Sequence, residues 1–224
     1  MRTTLFLSTV ALLALSACGI ETGSTPAPSL SSIQSSSVHR PVAQAALGTF
    51  ARIADRRPAS MGFAAKGEAA AGVLGEPLPM FRVGLGELRD FAVGVDPHTL
   101  LEDLGSALYP VMIDGGARSS IVVEKDGADW KATRFGSANL AHAAHATRTR
   151  VSGERSIEAS STSLVEIPML SVRLLAHDEG RVLMLTPLFD VPGTDLRANE
   201  TRLATEVFDA LRPIALAVNE NVPN

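Results

Sequence analysis

One cysteine, one tryptophan and one tyrosine are all that the 224-residue chain holds of those types, and aromatics make up only 4% of it. A lone cysteine excludes any disulfide within the chain, so burial has to stabilise whatever folds. Neither sign of charge dominates: 24 acidic against 20 basic residues leave a net charge of −4. With the two signs interspersed, the chain lacks the basic stripe that nucleic acid demands, and it has no polybasic grip on lipid headgroups. Also missing is an apolar run of about 20 residues, the length a spanning helix requires. The nearest approach, Leu5 to Leu15, ends before Gly19, Glu21, Thr22 and Gly23.

What the chain does have at its start is Arg2, that short apolar run, and a close on small residues. This is the three-part layout of a secretory signal peptide. Ordinary cleavage wants small residues at both recognition positions, and the outer one here is Leu15. The segment Leu15-Ser16-Ala17-Cys18 instead resembles the lipobox of bacterial lipoproteins at each of its four positions. The resemblance covers residues 1–19 only. It implies cleavage before Cys18, a diacylglyceryl group on the Cys18 sulfur and acylation of the new amino group, with palmitate as the chain type. Two or more acyl chains anchor a soluble body stably, each buried methylene adding about 0.8 kcal/mol. Gly19 follows the cysteine where Asp would favour inner-membrane retention. The resemblance therefore implies an outer membrane, with the body facing the periplasm.

These signals divide the chain into a lipoprotein signal peptide at 1–17, a Ser/Pro-rich tether at 18–38 and a globular domain at 39–224. The domain reads as one core with two lobes, about 39–150 and 160–224. The tether, ETGSTPAPSLSSIQSSS at its centre, is too poor in large apolar groups to offset the entropy of ordering.

Within the domain, Val42, Ala46, Phe50 and Ile53 recur at helical steps, which predicts an amphipathic helix from Pro41 to Arg57. Residues 58–75 read as loop, Leu78–Val83 as a strand and Glu87–Phe91 as a short helix. Asp96-Pro97 is a helix start, Asp capping free amides and Pro suiting the first turn, with the helix running through Leu104. Leu108–Ile113, Arg118–Lys125 and Asp129–Phe135 are β-rich runs joined by Gly-bearing turns, a meander. Ser137 caps a helix to Arg148. Residues 152–163 are polar enough for a linker. Leu170, Val172 and Leu174 alternate in a strand that returns through Asp178-Glu179-Gly180 as Val182–Leu188. Asn199 caps a final helix bearing Leu203, Val207, Leu211, Ile214 and Val218, kinked at Pro213. Pro79-Met-Phe-Arg-Val83 and Pro168-Met-Leu-Ser-Val172 echo one another as strand openings. The expected class is α+β, with short antiparallel sheets and hairpins packed against amphipathic helices from both chain ends.

Candidate chemistry is sparse. His142 and His145 share one side of a predicted helix, as a pair of metal ligands would, but zinc needs three or four protein ligands and no zincin glutamate adjoins them. Ser119-Ser120 lacks a nucleophile elbow. Glu102-Asp103 and Asp178-Glu179 are sequential neighbours at surface-type positions and make no acid–base dyad. Gly84-Leu-Gly86-Glu-Leu-Arg89 has Arg where a dinucleotide loop has its third glycine. Asn199-Glu-Thr201 is a glycosylation sequon that a bacterial setting leaves silent. Tyr109 and Trp130 fill a core or line a ligand groove, and a pocket with convergent polar groups beside them would decide it. The expected role is a lipid-anchored envelope module without cofactor or nucleic acid, held to the membrane through Cys18 and binding an envelope protein partner. A hydrolase or metal-dependent enzyme using His142 and His145, or capture of a small apolar ligand, are the alternatives.

Overall fold

Helix α1 spans Ser36–Arg56 in a computed structural model that describes Leu30 and residues 36–218. The expected signal peptide, Cys18 and most of the expected tether lie outside the described residues. The helix starts ahead of Pro41, which lies inside it as the sixth residue. Ala43, Phe50 and Ala54 form its fully buried stripe, flanked by half-buried Val42, Ala46 and Ile53.

The remaining elements follow as β1 (Val73–Leu74), β2 (Leu78–Arg82), α2 (Leu85–Asp90), β3 (Glu102–Ile113), β4 (Gly116–Asp126), β5 (Asp129–Gly136) and α3 (Ala138–Arg155). After these come β6 (Ser163–Ile167), β7 (Val172–Glu179), β8 (Val182–Pro187), β9 (Arg202–Leu203) and α4 (Ala204–Ala217). Class α+β is correct, but in place of several short sheets there is one sheet of nine strands. Its order is β5-β4-β3-β2-β6-β7-β8-β9, with β1 added beside β3. Two antiparallel meanders meet at its centre, where β2 and β6 run parallel in the register Met80↔Leu164 and Phe81↔Val165. Successive residues of a strand face opposite ways, so each strand serves two cores. Phe81, Val165 and Leu174 pack under α2 and α4, and Tyr109, Ile121 and Val123 under α1. Their neighbours Met80, Leu108, Leu164 and Leu175 pack on the other face with Ala144 and Val151 of α3. The result is three layers, with α1, α2 and α4 on one side of the sheet and α3 on the other.

Several expectations need correction. The helix expected through Leu104 is a 3-10 turn over Pro97–Leu100, after which β3 begins at Glu102. Glu102 and Asp103 pair with Arg82 and Phe81, so β-ladder bonds claim this backbone. Gly105 takes a left-handed φ of 54° where the ladder jumps register between Met80 and Phe81, the conformation of a bulge. The expected loop 58–75 contains two 3-10 turns and β1. In the first of them Gly62 has a φ of 88°, and an added Cβ would meet the Arg118 carbonyl oxygen at 2.0 Å. Ser137 sits at the start of α3 in a left-handed conformation and makes no side-chain cap, and α3 runs on to Arg155, past the expected end. The polar stretch 152–163 is the end of α3, a 3-10 turn and the first residue of β6. Pro168–Leu170 is a 3-10 turn and not a strand opening, so its echo of β2 has no structural counterpart. Leu203, not Asn199, precedes α4; the Asn199 side chain accepts a bond from the Thr147 hydroxyl.

Strand β5 forms one rim of the sheet and carries charge outward, Lys131 pairing with Asp126 and Arg134 with Glu124. At the opposite rim the two-residue β9 covers β8 only at Met184 and Leu185.

Candidate functional site

Asp96 does act as a cap: its carboxylate accepts the His98 amide at 3.0 Å, with Pro97 in the first position of the turn. The same oxygen meets His98 Nδ1 at 2.8 Å. This short turn aims the imidazole inward, where Nε2 meets Asp178 Oδ1 of β7 at 2.9 Å. The other Asp178 oxygen accepts the backbone N–H of Leu30 at 3.3 Å, and the Leu30 side chain is buried in the core under α2 and α4. One carboxylate thus ties His98 to the segment that follows the expected lipidation site.

The electrostatics match a clamp. Burial of the His98 ring opposes its charge, but hydrogen bonds to Asp178 and Asp96, joined by their negative charge, outweigh it and raise its pKa above the ordinary value. The protonated ring donates to both carboxylates at once, whereas a neutral ring can donate to only one. With both nitrogens engaged by carboxylates, the ring holds the Asp96 turn, β7 and the Leu30 segment together. Asp178 is mostly buried, at 13% side-chain exposure, which corrects its expected surface position.

Beside this clamp lies a small pocket of about 190 Å³, lined by Pro97, His98, Arg181, Val182, Leu203 and Thr205 among others. Its wall is largely aliphatic, and Val182 and Leu203 are exposed. The loop entering the Asp96 turn presents Val93, 96% exposed, and Val95.

A second feature crosses the sheet centre on the face that carries α3. Glu102, Arg82, Glu166 and Arg173 occupy successive register positions on β3, β2, β6 and β7. Arg82 meets the Glu102 carboxylate at 2.7 Å, and Arg173 Nε meets that of Glu166 at 2.6 Å. Arg173 also lines a wide, open groove of about 640 Å³ with Ser60, Asn139, Ser171 and Phe189. Its guanidinium is already matched by Glu166, so the groove has balanced charge.

The other candidates resolve individually. His142 is exposed and His145 half-buried, with burial lowering the His145 pKa; among the described residues no third ligand joins them. Ser119 and Ser120 are both buried, and Ser120 donates to the Gly136 carbonyl at 2.6 Å. Asp178 and Glu179 point to opposite faces, toward His98 and toward Arg155 respectively. Glu102 is bound to Arg82, and Asp103 accepts the Gly105 amide. Gly84 precedes α2 closely, where a Cβ would collide with the Glu87 carboxylate, and Arg89 binds the Ala215 and Val218 carbonyls at the end of α4. Tyr109 is fully buried, its hydroxyl 2.6 Å from His39 Nδ1, and the His39 ring lies 4.8 Å from that of Trp130. Neither aromatic lines either pocket.

Sequence reading found Asp96 as a cap and missed the clamp. His98 and Asp178 lie 80 residues apart, and nothing local to either announces the other.

Comparison of the chain with family models, with curated proteins and with solved structures yields no match.

Proposed function

We propose that this chain is a lipid-anchored, envelope-facing lipoprotein whose folded body binds a protein partner or supports an assembly at the membrane. The observation that carries the reading is Leu15-Ser16-Ala17-Cys18, placed after a basic start and a short apolar core. Cys18 bears the acyl chains, and Gly19 directs the protein to an outer membrane with its body in the periplasm. The docking of Leu30 fits this role, because it fastens the body to the chain twelve residues beyond the cysteine. Among the described residues, no helix is long and apolar enough to cross a membrane, and the lipid is the anchor this reading supplies. The organised polar groups support a non-catalytic role: His98 is held at both nitrogens, and each arginine of the sheet ladder is met by a glutamate.

The test is the intact mass of the protein extracted from membranes. The expected mass is that of residues 18–224 plus a diacylglyceryl group and an acyl chain. A cytosolic protein that keeps its leader and a free thiol would overturn the reading.

A further inference from the structure

We propose that the surface around the docked Leu30, formed by Val93, Val95, Val182 and Leu203, rests on the bilayer that carries the Cys18 lipid. This inference builds on acylation of Cys18 and adds which side of the body meets the membrane.

Where the chain leaves the body sets the geometry. Leu30 is buried, and its amide is held by Asp178 at 3.3 Å. Residues 19–29 are all that separate it from the cysteine. Fully extended, twelve residue steps reach at most about 40 Å. The side of the body that carries Leu30 is therefore kept within about 40 Å of the lipid.

That side holds four of the eight exposed large apolar residues among those described. Scattered exposed apolar residues are ordinary, but a group of them marks a contact surface. Val182 and Leu203 form a pocket wall with Pro97, and Val95 and Val93 precede Pro97 by two and four residues. All four are exposed, Val93 almost completely. Val93 and Gly94 form the tip of a turn closed by the Val95 amide on the Ala92 carbonyl, and Gly94 has a φ of 92°. The turn holds its aliphatic side chains outward instead of folding them in. The charges agree with a lipid surface as well. His98 offsets one of the two carboxylate charges of Asp96 and Asp178, and exposed Arg181 at the same pocket offsets the other, so the group meets the headgroup layer with no net negative charge and one guanidinium for a lipid phosphate. Aliphatic side chains backed by a cation suit the headgroup boundary, where apolar groups enter about 5–10 Å.

Cys18 is the only native cysteine, and acylation consumes its thiol, so added cysteines can be labelled singly in the full chain. V93C, L203C and, on the other half of the sheet, V73C would be purified from membranes. Their acylation would be checked by intact mass, and each labelled with an environment-sensitive fluorophore in phosphatidylethanolamine/phosphatidylglycerol vesicles. The labels at 93 and 203 are expected to brighten about twofold over the label at 73 and to be quenched by nitroxide-bearing lipid, as side chains entering the headgroup layer would be. Acylated protein whose three labels respond alike would overturn the docking face and leave the anchor standing. Brightening in detergent that grows with protein concentration would assign the face to a second copy and overturn the inference. A free Cys18 thiol would overturn both this inference and the reading it rests on.

Discussion

His98 shows how single side chains fasten this molecule. Its pKa is raised in the folded state, so the stability it supplies is fully present below the ordinary imidazole value of about 6.5 and is lost as pH rises through the raised value. Replacing Asp178 with Asn should lower the His98 pKa, read by NMR titration. It should also remove stability at pH 5 to 6, by an amount bounded by the 1.5–3 kcal/mol, roughly, of a hydrogen bond to a charged group. Urea midpoints that follow the same pH course in both proteins would show that the clamp contributes nothing. Tyr109 offers an equally clean readout, being the only tyrosine. Burial pushes its hydroxyl up to about 12, so the 295-nm absorbance of the folded protein should stay flat through pH 10, where a free tyrosine is half ionised. Tyr109→Phe would leave His39 Nδ1 without its hydroxyl partner, at an expected cost of about 1–3 kcal/mol in thermal or urea unfolding.

Among the elements, β6 has the greatest consequence for its length. All five of its residues are buried, and it joins the two meanders through its parallel pairing with β2. Leu164→Ala should cost about 2–5 kcal/mol, since its fully buried side chain packs between the sheet and α3; a loss under 1 kcal/mol would mean that this seam is loose. The same strand was hidden in the sequence. Ser163 and Glu166 make its composition resemble the polar stretch before it, and its pairing with β2 lies more than 80 residues away in the chain. The meander β3-β4-β5 was legible because its Gly-bearing turns and alternating residues are local signals. Asp96-Pro97 was legible as a cap, yet the helix drawn from it failed, because a cap fixes a beginning and says nothing about length. Competition from the long ladder of β3 ended that turn. The clamp was illegible for a related reason: its partners are assembled only once β7 reaches the side of the sheet where Leu30 docks.

At the scale of the whole molecule, one sheet running through both meanders predicts one unfolding event. Trp130 belongs to the β5 rim, so its fluorescence reports that half, while far-UV circular dichroism reports all of the sheet and helices. The two urea transitions should coincide; a tryptophan curve separated from the dichroism curve would show that the halves open independently. The charged rim has a different consequence. An open sheet edge is a template for strand-to-strand polymerisation. Lys131 and Arg134 stand along β5, each as one half of an ion pair, and a neighbouring strand would have to bury these charged pairs against its own. Replacing both with uncharged residues should let the molecule lengthen edge to edge, seen as light scattering that grows with protein concentration.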